Sequence, residues 1–269
     1  MAGAVRAEFR KFFTTRMWWG MAIGVVLAGA LFALIFAVWV PGSRQQGNGG
    51  PGGPPLPGLD NTAMVSTVYT AGLSIAYLLT LVVGVMSIGS EYRHKTITST
   101  FLSTPKRVRV MVAKVTSLLG IGAFYGVVFL LGSVGVGATV IAVKGFSPVP
   151  EVGPITRTLA LSLLVLGLWS LVGLGAGILI PNQVAAILIT VGAAFILEPL
   201  VGFLLGLFSW GQTIVPYLPG QATSAMVGQV NATPGVALLS WWAAALVLVA
   251  YASVLAGIGS LLTVRRDVT

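Results

Sequence analysis

The chain has 269 residues, 56% of them hydrophobic and only 8% charged, and a net charge of +9. A soluble domain normally carries about 25% charged residues, so most of this surface cannot face water. The positive charge does not point to nucleic acid, because no folded polar domain exists to present it, and the absence of cysteine removes disulfides, thiolate nucleophiles and cysteine metal sites.

The expected fold class is an all-α membrane protein. In residues 1–16, Val5, Phe9 and Phe12 recur at helical spacing while Arg6, Arg10 and Lys11 lie elsewhere around the helix. That pattern suits an N-terminal helix lying in the membrane interface. Six stretches then reach the roughly 20 apolar residues that a membrane helix needs: 17–40, 63–89, 112–143, 158–180, 184–208 and 235–264. Together, residues 17–264 make one six-span domain.

The first span is too long for a signal peptide and is not followed by a small-residue cleavage site, so it is expected to be retained. Gly47 to Gly58 reads GNGGPGGPPLPG, which can bury nothing and should form a loop. Asp60 or Asn61 is placed to cap the second span. The third span exceeds the bilayer requirement and should tilt or project. Pro181-Asn182-Gln183 makes a tight turn between spans four and five. Residues 209–234 are interrupted by Pro216, Pro219-Gly220 and Pro234. They are too broken to span, and are expected to form a re-entrant segment packed on protein. Residues 265–269 are a short tail, and no internal repeat is visible.

Lys and Arg are distributed unevenly. Arg6, Arg10, Lys11 and Arg16 precede the first span. Arg93, Lys95, Lys106, Arg107, Arg109 and Lys114 surround the link between spans two and three, and Arg265 and Arg266 end the chain. These are 12 of the 15 basic residues, and only Arg44, Lys144 and Arg157 lie on the other side. The positive-inside rule therefore puts both termini and residues 90–111 in the cytoplasm.

The inventory for catalysis is thin. His94 is the single histidine, and no GxxxxGK[ST] phosphate loop occurs. Neither a His/Glu metal cluster nor a serine with a base can be assembled within the bilayer. The chain is therefore not expected to be an enzyme or to bind a metal or cofactor. Glu198, followed by Pro199, is the only carboxylate within an apolar span. Proline should bend or break the helix there, and a charge at such depth must face protein or water. Two readings follow: a polar point in a translocation path, or a carboxyl that satisfies the broken helix and the segment after it. Candidate partners are freed backbone N–H groups, Gln183, Tyr217 and Gln221. Glycine pairs 20/24, 122/126, 173/177 and 202/206 have the GxxxG spacing that lets helices approach closely.

Residues 90–107 combine charge, hydroxyls and an Ile97/Phe101 pair at i,i+4, ended by Pro105. A short amphipathic helix fits this pattern, and so does a solvated loop obeying the charge rule. The pattern E-Y-R-x-x-T-I-x-x-x-F-L-x-x-P-x-R from Glu91 to Arg107 resembles the type 2 ABC transporter permeases. So does the Glu8 to Trp19 stretch, E-F-R-K-x-F-x-T-R-x-W-W. Lys95 stands where many relatives carry Gly.

The resemblance implies that the cytoplasmic segment is a coupling helix seated in a cleft of a separate ATP-binding subunit. Its contact residues would be Glu91, Arg93, Thr96, Ile97, Thr98, Phe101 and Leu102. It further implies two ATP-binding subunits, which hold ATP and Mg, acting on two permeases, this chain with a second copy of itself or with a paralogous permease, in a bacterial cell membrane. The expected function is export of a drug, lipid or peptide, with membrane lipid as the surrounding partner. The rival is a secondary transporter or channel without a nucleotide-binding partner; such proteins generally place several ionisable residues along the path.

Overall fold

The computed structural model describes residues 2–40, 57–93, 107–229 and 238–266. Among these, all regular structure is helical, and six helical stretches are long and apolar enough to cross a membrane. In chain order the helices are α1 (Ala2–Phe13), α2 (Met17–Trp39), α3 (Thr62–Thr70), α4 (Leu73–Arg93) and α5 (Arg107–Val143). They continue with α6 (Val152–Leu179), α7 (Gln183–Gly192), α8 (Glu198–Gly206), α9 (Pro219–Val227) and α10 (Trp241–Arg266).

The helices alternate in direction, so the bundle has two ends. One end gathers the C-termini of α4, α6 and α10 with the N-terminus of α7: a side chain on Gly89 would touch Gln183, and one on Gly259 would press on the Leu179 backbone. The other end gathers the C-terminus of α2, α3 and the α5–α6 link. There the Tyr69 hydroxyl donates to the Pro148 carbonyl (2.7 Å). Lys144 Nζ donates to the carbonyls of Val38 (2.8 Å) and Val40 (3.0 Å), closing the C-terminal end of α2.

α6 is the central helix, with 67% of its apolar window buried, whereas the α7–α8 stretch is only 11% buried and turns its side chains outward. α6 packs on α4, α5 and α10. Small residues set the spacing. A Cβ on Gly122 would stand 2.5 Å from Gly167 Cα, and one on Gly173 would stand 2.8 Å from the Leu81 carbonyl carbon. Two of the four GxxxG pairs are thus occupied within the chain.

Several expected boundaries change. The second span is not one helix from 63 to 89. It breaks into α3 and α4 at Ala71–Gly72, where Gly72 lies against the α2 backbone and a Cβ would stand 2.8 Å from the Ala28 carbonyl carbon. Asn61, not Asp60, caps it, its Oδ1 accepting from the Ala63 N–H at 2.8 Å. α5 has 37 residues, about 55 Å at 1.5 Å per residue. α6 begins six residues before the expected start, and α10 begins at Trp241 rather than 235. Asn182 caps α7 by accepting from the Val184 and Ala185 N–H groups.

α1 forms, but its apolar side packs on protein. Phe12 meets the Tyr125 ring edge-on at 6.0 Å, and Phe9 fills the space beside Gly120.

Candidate functional site

Two polar arrangements stand out in this apolar bundle. The first joins α1, α4 and α5. Lys114, one turn into the apolar part of α5, is only 1% exposed. Its ammonium reaches Glu8 Oε2 (2.8 Å), Glu91 Oε1 (3.0 Å) and the Ser87 carbonyl (3.2 Å). Lys11 completes the group, with Nζ 2.7 Å from Glu8 Oε1 and 3.1 Å from Glu91 Oε1. Two acids and two bases thus share one clasp, and the charges cancel. Burial opposes the charge on Glu8, but Lys114 and Lys11 outweigh it and hold its carboxyl below the usual range. Burial likewise works against the Lys11 ammonium; its bond to Glu8 and the field of Glu91 prevail and raise its pKa.

The second arrangement surrounds Glu198. Span five is wound wider over Ala193–Leu197, one π-helical turn before Pro199. The extra residue in that turn accommodates the missing proline N–H, so the helix continues rather than breaking. After Gly206 the chain turns back along α8, placing Leu218 beside Gly202 and Gly220 beside Glu198. Two 3₁₀ turns, Gly211–Thr213 and Val215–Tyr217, make this return, and α9 then runs along α6. The Glu198 carboxylate accepts hydrogen bonds from the Gly220 and Gln221 backbone N–H groups at the start of α9. A helix N-terminus leaves N–H groups unpaired and carries partial positive charge, so a carboxylate is suited to it.

α9 is anchored further along its length. Trp169 Nε1 donates to Thr223 Oγ1 (2.8 Å), Thr158 Oγ1 donates to the Val227 carbonyl (3.1 Å), and Gln229 Nε2 donates to the Thr70 carbonyl (3.0 Å). Tyr77 stacks on Trp169 at 4.0 Å. Gly228 closes the helix with φ +66°, a conformation that glycine adopts without strain.

Of the residues expected to contact a partner, Glu91 and Arg93 end α4, whereas Thr96, Ile97, Thr98, Phe101 and Leu102 lie outside the described residues. Glu91 turns inward to the lysines, and Arg93 is exposed. Glu198 is met by the backbone N–H groups of Gly220 and Gln221; of the candidate partners this is Gln221 alone, through its main chain and not its side chain. Pro199 is exposed beside it. Sequence reasoning missed the Glu8–Lys114 pair, having counted Lys114 only toward orientation. The available signal was a lysine inside an apolar helix, which requires a counter-charge. Among the described residues, no three His, Cys, Asp or Glu side chains converge as metal ligands. Comparison with protein-family models, curated proteins and solved structures finds no match to this chain.

A carboxyl that serves α9 as a cap makes a specific prediction. Glu198→Ala strands N–H donors in an apolar setting and is expected to destabilise the bundle by about 1–3 kcal/mol. Glu198→Gln keeps an acceptor oxygen and should lose much less. Thermal unfolding in detergent separates the two. Equal losses for Gln and Ala would mean that charge, rather than hydrogen bonding, is what this position requires.

Proposed function

We propose that the chain is the permease subunit of an ATP-driven exporter, paired with a second copy and moved by a separate ATP-binding subunit. The motif resemblance of Glu91 to Arg107 suggests the partner, and the observation that carries the reading is the clasp. In the chain, residues 94–106 join α4 to α5, the two helices that Glu91 and Lys114 bind together at 3.0 Å. Glu8 and Lys11 add α1 to the same unit. A push on residues 94–106 therefore moves α1, α4 and α5 together, and through α4 reaches α6 at the centre. ATP and Mg belong to the partner, and the energy of their chemistry enters the bundle at this end. The exported substrate is a drug, lipid or peptide, and the membrane is the bacterial cell membrane with both termini inside.

Ile97→Asp and Phe101→Asp test the coupling. A carboxylate carried into an apolar cleft without a partner costs several kcal/mol, so contact with the ATP-binding subunit should weaken on the order of a hundredfold. The expected result is loss of co-purification and of substrate-stimulated ATP hydrolysis, with insertion of the permease unchanged. Full stimulation in both variants would leave residues 94–106 as a solvated loop and overturn the proposal.

A further inference from the structure

The clasp borders an opening. A cavity of about 480 Å³ lies between α1, α4 and α5, within the range of roughly 300–1,000 Å³ typical of small-molecule sites. Its walls divide by chemistry. Val83, Met86, Leu118 and Ile121 form an apolar floor, and Glu8, Glu91 and Lys11 stand at its polar end. Lys114 sits behind the two carboxylates at 1% exposure, so the walls present two acids against a single ammonium.

That ammonium is also the loosest member of the group. The Lys11 side chain is 50% exposed, against 12% for Glu8 and 9% for Glu91. Its flexible four-carbon stem can carry the charge out to water, whereas neither carboxylate can follow. Were Lys11 to leave, the acids would retain only Lys114, and the vacated point is 2.7 Å from Glu8 Oε1 and 3.1 Å from Glu91 Oε1. A second ammonium fits there without creating an unpaired buried charge. An anionic ligand would meet two carboxylates, and a neutral one could not replace the ion pair. The Met86 thioether lends the floor adaptability to different apolar shapes.

We propose that this cavity binds a hydrophobic amine, whose ammonium takes the place of Lys11 between Glu8 and Glu91 while its apolar body rests on Val83, Met86, Leu118 and Ile121. The site is built by one chain and needs no nucleotide-driven partner, so it stands apart from the exporter reading. Occupancy releases Lys11 and leaves α1 held by the Glu8–Lys114 pair and its phenylalanines.

The test uses the full chain in lipid nanodiscs with dansylcadaverine, a fluorescent naphthalene carrying a primary amine on a five-carbon tether. Its N-acetyl derivative serves as the uncharged counterpart. The amine should bind saturably, and the acetylated probe should bind at least about tenfold more weakly. Lys11→Ala removes the competing ammonium and should tighten amine binding by about threefold, the size expected for an exposed ion pair. Met86→Trp fills the cavity and should abolish saturable binding at an unchanged thermal midpoint. Ser90→Leu narrows the same cavity from its polar end and takes over if Met86→Trp fails to assemble. Equal binding of the two probes would overturn the proposal. So would weaker or unchanged amine affinity in Lys11→Ala, or unchanged binding in a folded cavity-filling variant.

Discussion

Gly84→Ala and Gly173→Ala are each expected to destabilise the bundle by about 1–3 kcal/mol, the usual range for overpacking, and valine at either position to prevent assembly. Both glycines lie on the seam where α4 crosses α6. A Cβ on Gly84 would overlap the Ser170 carbonyl oxygen and stand 2.8 Å from the Leu174 nitrogen, and one on Gly173 would overlap the Leu81 carbonyl oxygen. These obstacles are backbone atoms of the two most closely packed helices, so no rotamer change relieves them. Close backbone approach through small residues is a major source of helix association in lipid, and a methyl that parts this seam removes contacts along its length. Gly20→Ala is the control, because nothing lies within 4 Å of that position. It should be neutral, or gain up to about 1 kcal/mol from helix propensity. Unfolding by a graded detergent titration measures all three. A Gly84→Ala chain as stable as wild type would mean that the seam is looser than this geometry requires.

The spans were legible because their cause is local: about 20 consecutive apolar residues are enough to cross a bilayer. The turn at Pro181-Asn182-Gln183 was legible for the same reason, and the Asn61 cap nearly so. The break between α3 and α4 was not, because an isolated glycine inside an apolar run is as compatible with a continuous helix as with a break. The fate of α1 was half legible. Its spacing gave the helix, but a pattern that suits a lipid surface suits the side of α5 equally. The clasp was least visible of all. Glu8 and Lys11 share one turn of α1, but Glu91 and Lys114 are far from them in sequence, and each residue had a separate local explanation in a motif or a charge count. Burial alone unites them, and burial is decided by the packing of three helices. Glu198 shows the reverse. An acid in an apolar helix forced the search for a partner, and Gln221 was among the candidates, although the sequence pointed to N–H groups freed by Pro199 and not to those that open α9.

Lys114→Met should bring a still larger loss. Removing one partner of a buried ion pair typically costs about 3–5 kcal/mol, because the charge left behind remains out of water. Here two carboxylates are left, Glu8 and Glu91, with only the half-exposed Lys11 to balance them. The loss should fall mainly on α1 and the adjoining ends of α4 and α5, because Glu8 and Glu91 tie those elements to Lys114. A compensating variant separates charge from packing. Glu91→Leu with Lys114→Met removes one acid and one base together and leaves Glu8 paired with Lys11, so a large part of the stability should return. Whole buried pairs are often replaced by apolar residues at little cost. Acid provides an independent check on the wild-type chain. The Glu8 carboxyl titrates below its ordinary range, so its contribution is fully present above the unfolded carboxylate value near 4.5. It is lost as the pH falls through the lower folded value. Protease accessibility of residues 2–13 should rise in that acidic window and rise already at neutral pH in Lys114→Met. If Lys114→Met unfolds at the wild-type midpoint with α1 still protected, the four charges are not what holds α1 to the bundle, and the phenylalanine contacts with α5 suffice.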